Sequence, residues 1–411
     1  MPSPPRVVMI TPHGDPLGTI GEPDIGGQCV YIRELSTHLA AHGIRVRAYT
    51  RDRGDGRPPR ETIAPGAEVV RIRCGPAGFI PKEDLLPYLG EFSARIADQL
   101  DASDVLHSHY WDGGYVAHHA RTRQPWFHST HSIGKLKEAA LPRDARYRYE
   151  ERIRIETDVY NGCDRIFALT AIEAGQIAAL YGVPQGRLTV IPPGVSVNRF
   201  HSTANAPENR RRFGLRDRPT VLTLGRLDAR KGFDLYLGIA AEAMDRCGAA
   251  GLSFVLSAGD GNPQESEEAD KLRRLIEELG LSDVLTWLPV QAEADVPALY
   301  HAADVFVLTS RYEPFGIVIL EAMASGVPVV ATVHGGPAEI IEPAVDGLLA
   351  DPRDPGAFAE AVCSLLSSES RRRDLAAHAR KKVEEAYNWS AIAARFLNGY
   401  GIEPMEVADA R

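Results

Sequence analysis

Two clusters in the second half of the chain combine residue types that could work on a charged ligand. The run Gly225-Arg226-Leu227-Asp228-Ala229-Arg230-Lys231-Gly232 follows an apolar stretch, Val221 to Leu224. Gly225 allows a turn where a strand would end. Arg226 offers a planar fork and Lys231 a compact ammonium, a pair suited to a diphosphate. A solvated basic turn would have the same composition. The second cluster is Glu313-Pro314-Phe315-Gly316-Ile317-Val318-Ile319-Leu320-Glu321. Pro314 and Gly316 predict a helix start whose unpaired N–H groups attract an anion. Glu313 would sit at the mouth of that helix, where a carboxylate accepts hydrogen bonds from sugar hydroxyls. Glu321 would lie about one and a half turns inside it, able to hold a ribose diol. A carboxylate that only complements the helix dipole is the alternative for Glu313, and a solvated face the alternative for Glu321. The apolar neighbours Leu320, Ala322, Met323 and Ala324 weigh against the solvated face.

Other signals are weaker. Gly259-Asp260-Gly261, after Phe254 to Leu256, and Gly335-Gly336-Pro337, after Val329 to Ala331, are tight turns or close approaches of backbone to a ligand. Pro23-Asp24-Ile25-Gly26-Gly27-Gln28 precedes a helix, and its paired glycines let N–H groups approach an anion. The spacing is not Gly-x-Gly-x-x-Gly, which disfavours a nicotinamide enzyme. His107, His109, His118, His119, His128 and His131 crowd together, yet no His-Glu-x-x-His or cysteine partner accompanies them, so a metal cluster is disfavoured. His131, in Thr130-His131-Ser132 after Trp126 to Ser129, is the histidine best placed to meet a ligand.

The elements that must hold these residues alternate along nearly the whole chain. Val7-Val8-Met9-Ile10 reads as a buried strand, a Gly-rich loop follows, and a helix with Ile32, Leu35 and Leu39 on one face runs to Gly43. The rhythm returns at Val105, Ile166 and Val190, breaks at Pro192-Pro193-Gly194, and restarts at Val221, Phe254, Val305 and Val329. Strands separated by helices imply α/β architecture with parallel sheets covered on both faces. The spacing predicts an N-terminal domain over 1–200 and a second over 201–387. A C-terminal helix over 388–411 is expected to cross back onto the first. Two doubly wound lobes would face each other across a cleft at the carboxyl ends of their strands.

The composition bounds the function. Lys and Arg number 46 against 55 Asp and Glu, and the net charge of −9 argues against a general nucleic-acid binder. No apolar run reaches the length of a membrane span and no signal-peptide core is visible. Five isolated cysteines without a Cys-x-x-Cys pair suggest buried thiols and a cytoplasmic location. Nothing in the sequence sets the oligomeric state, and a homo-oligomer is compatible with it.

Taken together, these motifs resemble the retaining glycosyltransferases of GT-B fold that include the sucrose-phosphate synthases. Glu313 to Glu321 is similar to that family's Glu-x7-Glu element, and Arg226 with Lys231 to its diphosphate-binding pair. The resemblance implies transfer of a hexosyl group from a nucleoside diphosphate sugar, UDP-glucose first among donors, with retention at the anomeric carbon. It implies donor contacts from Gly26, Gly27, Gly259, Phe315, Gly316, Ile317 and Glu321, and catalytic roles for His131, Arg226, Lys231 and Glu313. On the acceptor side, Gln28, His109-Tyr110 and Thr130-His131-Ser132-Ile133-Gly134-Lys135 are similar to stretches of sucrose-phosphate synthases. His107 to Trp111 is equally similar to inositol-phosphate glycosyltransferases of the mycothiol pathway. That second likeness implies that Lys82, Tyr110, Ser132 and Arg152 grip an acceptor phosphate. Fructose 6-phosphate is the first acceptor implied; an inositol phosphate or an unphosphorylated cyclitol is the alternative. No cofactor beyond the donor is implied, and since no Asp-x-Asp pair occurs in the chain, no divalent metal is expected. A non-catalytic sugar- or nucleotide-binding protein, or a phosphorylase with a pyridoxal-bearing lysine, are the competing readings.

Overall fold

In the computed structural model, which describes residues 5–20, 22–139, 149–201, 206–248, 251–259 and 263–403, the apolar runs form two separate sheets. The first contains β1 (Val7–Ile10), β2 (Val46–Asp52), β3 (Arg60–Ala64), β4 (Ala67–Arg73), β5 (Val105–His109), β6 (Trp126–Ser129), β7 (Arg165–Ala168) and β8 (Leu188–Val190), in the order β3-β4-β2-β1-β5-β6-β7-β8. Only β3 runs antiparallel, against β4. The second contains β9 (Thr220–Gly225), β10 (Ser253–Ala258), β11 (Leu285–Leu288), β12 (Val305–Leu308), β13 (Val329–Thr332) and β14 (Leu348–Ala350), all parallel, in the order β11-β10-β9-β12-β13-β14. Short runs such as Val7 to Ile10 are buried on both faces because helices connect successive parallel strands and cover the sheet.

The strand order reverses at β1/β5 in the first sheet and at β9/β12 in the second, and such switch points open a crevice at the strands' carboxyl ends. The segments after β1, β5 and β6 and those after β9 and β12 hold most of the residues singled out above. Each sheet has its own core, one around Val8, Ile10, Leu106, Trp126 and Ile166, the other around Val221, Phe254, Leu256, Val305 and Val307. The chain accordingly forms two compact units, Met1–Pro193 with Trp389–Arg411, and Gly194–Asn388.

The helix Trp389–Tyr400 belongs to the first unit. Trp389 and Phe396 meet the Tyr31 ring edge-on at 5.4 and 6.3 Å, and Gly399 passes so close to Phe167 that a Cβ would collide with its ring. Two of the five cysteines depart from the expectation of buried thiols. Cys247 and Cys363 form a disulfide between helices Phe233–Cys247 and Pro355–Leu366, with Cα atoms 6.1 Å apart. Helix packing pairs residues 116 apart in sequence, which local spacing does not reveal. Cys29, Cys74 and Cys163 are free and buried. Among the described residues, no helix is long and apolar enough to cross a membrane.

Candidate active site

In the second unit, Asp228 accepts a hydrogen bond from the Arg230 N–H at 2.9 Å and starts a short 3₁₀ turn, Ala229–Lys231. Gly232 closes the turn at φ 67°, against the Thr309 carbonyl, where a Cβ would overlap. The turn is tied to the loop after β12: Arg230 donates to Tyr312 O, and Arg311 to Ala229 O and the Asp234 carboxylate. Lys231 thereby reaches Glu313, with Nζ 2.7 Å from Oε2, while Ser310 donates to the same oxygen. Burial alone would raise the Glu313 carboxyl; Lys231 and Arg230 overcome it and hold the group below the usual carboxylate range. Arg226 is exposed and makes no hydrogen bond or ion pair with the described residues. Of the three cations between Gly225 and Gly232, Arg230 and Lys231 are thus committed to the Tyr312–Glu313 segment, while the Arg226 side chain is unpaired among the described residues.

Gly316 caps the helix Ile317–Ala324 at φ 103°, and no side chain caps its N-terminus. Phe315 is buried just ahead of it, and Ile317 opens the helix. Gly335 and Gly336 turn out to serve the backbone. Glu313 bridges Gly335, Gly336 N donates to Glu313 O at 2.8 Å, and a Cβ at either glycine would strike the 313–315 main chain. Deeper in the helix, the Tyr300 hydroxyl lies 2.9 Å from Glu321 Oε2 and 3.1 Å from Val318 O. Burial pushes the Glu321 carboxyl up to about 7, against the pull of the Tyr300 hydrogen bond and Arg199. Gly259 follows β10, half-buried; Asp260 and Gly261 lie outside the described residues.

In the first unit, Gly26 and Gly27 begin the helix Gly27–Ala41 with no side-chain cap and no acid in the first turn, and Gln28 donates to Thr11 Oγ1 at 3.2 Å. Tyr110, Ser132 and Arg152 come together from after β5, after β6 and from the helix Glu150–Gly162. Arg152 donates to the Tyr110 hydroxyl at 2.7 Å and to Ser132 Oγ at 3.1 Å, its guanidinium 4.6 Å from the Tyr110 ring centroid. Its Nε donates to Glu156 at 2.7 Å. Burial opposes the Arg152 charge, but Glu156 and Tyr110 keep it firmly protonated. Burial also pushes the Tyr110 hydroxyl up to about 12, opposed by the charges of Arg152 and Lys82. Lys82 donates to Asp24 Oδ1 at 2.5 Å, a partner that outweighs desolvation and raises its pKa.

Lys135 does not join this group. Its ammonium lies over the Tyr181 ring, with Nζ 4.5 Å from the centroid, and donates to Leu180 O at 2.6 Å. There it meets the carbonyl end of the helix Ala171–Tyr181, a favourable place for a cation. Two residues on, Lys137 comes within 3.5 Å of the Tyr110 hydroxyl instead. His13, after β1, was also not evident from sequence. It pairs with Asp112 at 2.8 Å and meets the Tyr110 ring edge-on at 5.0 Å. A histidine three residues beyond a strand's carboxyl end was the signal that could have found it.

His131 Nε2 lies 2.9 Å from His109 Nδ1. Burial, reinforced by His128 and His13, pushes the His131 ring down to about 3, so it is neutral near pH 7. His131, Tyr110 and Asp24 all have positive φ (55°, 65° and 61°), and among the described residues only Ala344 joins them outside glycine. Backbone strain of about 1–3 kcal/mol each persists only where surrounding structure enforces it, and it gathers at functional sites. Among the described residues, no group of three His, Cys, Asp or Glu could hold a metal ion.

Residues 205–382 match the family described as "Glycosyl transferases group 1", and residues 25–199 match "Glycosyltransferase Family 4". The chain is 33% identical to a mannosylfructose-phosphate synthase of Agrobacterium fabrum, over 96% of this chain and 90% of that protein. It is 35% identical to a D-inositol 3-phosphate glycosyltransferase of Frankia alni, over 96% of this chain and all of that one. A solved sucrose-phosphate synthase from Thermosynechococcus elongatus superposes with a TM-score of 0.84 at 30% identity, covering 97% of this chain and 98% of its own.

Proposed function

The chain belongs to the glycosyltransferases built from a family 4 domain followed by a group 1 domain, and from that premise we propose which groups it moves and how. It transfers a hexosyl unit from a nucleoside diphosphate sugar, UDP-glucose first, to a phosphorylated sugar or polyol, fructose 6-phosphate first, with retention. The observation that carries the acceptor class is the Tyr110–Ser132–Arg152 cluster with Lys82. These are fixed cations and hydroxyls at a switch point, suited to the planar and point-charge recognition of a phosphate. The three relatives above are each named for a phosphorylated compound, which supports the same class.

The donor diphosphate sits against Arg226, Lys231 and the uncapped helix start at Gly316, with Glu321 on the ribose and Gly26, Gly27, Gly259, Phe315 and Ile317 along the donor. As the bond from the anomeric carbon to the diphosphate oxygen breaks, negative charge grows on that oxygen, where the two cations stabilise it. The acceptor hydroxyl attacks from the face the diphosphate leaves and gives its proton to that phosphate. Glu313 leaves Lys231 partly neutralised in the free chain and turns to the sugar hydroxyls when the diphosphate takes over the ammonium. His131 hydrogen-bonds the sugar, and Gln28 borders the acceptor. No step uses a metal ion.

A matrix of UDP-, GDP- and ADP-sugars against fructose 6-phosphate, inositol phosphate and their unphosphorylated forms tests the reading, scored by nucleoside diphosphate release and by the anomeric configuration of the product. Turnover with a phosphorylated acceptor and an α-linked product is expected. Reaction with free acceptors alone would remove the phosphate role from Lys82, Tyr110, Ser132 and Arg152. An inositol phosphate preferred over fructose 6-phosphate would instead select the second likeness.

A further inference from the structure

His107, His109 and His131 follow one another in the first unit with their rings tilted by 41° and 37°, the centroids 4.1 Å apart for the first pair and 5.2 Å for the second. The Tyr400 hydroxyl is 2.7 Å from His107 Nδ1, and His107 Nε2 is 2.9 Å from Ser129 Oγ, so both nitrogens of His107 are occupied. The contact between His109 Nδ1 and His131 Nε2 joins two ring nitrogens, one of which must carry a proton and the other a lone pair. Burial first, and neighbouring histidines second, hold both rings neutral, so each carries a single proton.

The second nitrogen of His109 decides the direction. His109 Nε2 is buried with no hydrogen-bond partner among the described residues. Were His131 Nε2–H the donor, the only proton of His109 would sit on that Nε2 as an orphaned buried N–H, the kind of group folded proteins almost never tolerate. With the proton on His109 Nδ1, the orphan is a lone pair, and the proton of His131 is driven to its own Nδ1. That atom makes no hydrogen bond among the described residues. The near-perpendicular packing against the Tyr31 ring, with centroids 5.1 Å apart, and the left-handed backbone at φ 55° fix the ring's orientation.

We propose that His109 is a positioning residue that locks His131 as the Nδ1–H tautomer, so that the free edge of the His131 ring offers a hydrogen-bond donor and no lone pair. The inference rests on the reading of His131 as a residue that touches the sugar, and it narrows that role. His131 donates to a ligand oxygen and takes no proton from the acceptor, which leaves the departing diphosphate as the proton's destination.

The test uses the full chain labelled with ¹⁵N-histidine and long-range ¹H–¹⁵N spectra without substrate, the His131 signals identified by their loss in His131→Gln. A protonated Nδ1 and a bare Nε2 are expected for His131. His109→Asn sets an amide N–H where Nδ1–H stood. It should keep that pattern and hold kcat within about threefold of wild type, as one retained hydrogen bond implies. His109→Leu removes the donor; His131 should then shift towards Nε2–H, and kcat should fall roughly 10²-fold with a smaller change in KM, like the loss of one transition-state donor. An Nε2–H signal for His131 in the wild type, or an unchanged Nδ1–H pattern in His109→Leu, overturns the proposal. The spectra need no ligand. An Nδ1–H His131 whose replacement by Gln left turnover intact would therefore uphold the tautomer assignment while removing His131 from the reaction.

Discussion

Arg226 and Lys231 are both cations in the segment between Gly225 and Gly232 but in different states, and their substitutions should separate. Arg226 is exposed and unpartnered among the described residues, so Arg226→Ala should lower turnover on the order of 10²–10³-fold and leave the melting temperature where it was. A variant within twofold of wild type would take Arg226 out of the mechanism. Lys231 neutralises a buried carboxylate, so Lys231→Ala should lose comparable turnover and also melt earlier. Adding Glu313→Gln should restore the melt but not the activity. Glu321 makes a pH prediction. Its carboxyl is raised from 4.5 to about 7, so between those values the folded chain holds a proton that the unfolded chain has released. Its contribution to stability therefore falls as pH rises through that window and levels off above it. Nucleotide binding should move the other way, because the ionised carboxylate is the better acceptor for a ribose diol. Calorimetric affinity for the nucleoside diphosphate should tighten about three- to tenfold from roughly pH 6 to 8, the span of a shift near one unit, and Glu321→Gln should flatten the curve. A wild-type curve as flat as the variant's would show that Glu321 does not face the nucleotide.

The Gly335-Gly336 turn shows what a tight approach of two loops demands. Gly335→Ala would place a Cβ on the Glu313 carbonyl from a backbone at φ 98°. It should destabilise the chain by about 1–3 kcal/mol, and shifting Glu313 should cost activity beyond that, seen as lower kcat at temperatures where the variant is still folded. Wild-type kcat in a folded Gly335→Ala would break the link between that turn and the site. Much of this level is legible in sequence. Continuous runs such as Val7 to Ile10 and Val305 to Leu308 announce doubly covered strands, and Gly316 or Gly43 mark left-handed ends that few other residues adopt. Side-chain direction is not legible. Lys135 and Lys137 stand two apart on one short helix, yet one reaches the carbonyl end of a neighbouring helix and the other Tyr110. The His13–Asp112 pair and the Cys247–Cys363 link depend on strand order and helix packing, which local patterns leave open.

The first unit is assembled from two distant stretches of chain. The chain leaves it after Pro193 and returns at Trp389, and the outgoing and returning segments run side by side, with Val195 N donating to Tyr387 O at 2.8 Å. A protein of Met1–Pro193 joined to Trp389–Arg411 by a short Gly-Ser linker should therefore fold, while Met1–Pro193 alone should not. Circular dichroism melts and amide dispersion would tell the two apart, and a cooperative melt from the shorter piece would contradict the expectation. Within the full chain, Trp389→Ala should cost about 3–5 kcal/mol, as truncation of a buried aromatic does. The returning helix also sets an order of events at the ribosome. Protein synthesis usually lets the N-terminal domain mature first. Here the nascent N-terminal unit must wait, with Tyr31 and His107 uncovered, until the codons for Trp389 to Tyr400 have been read, whereas the inserted unit has all its strands in hand before then.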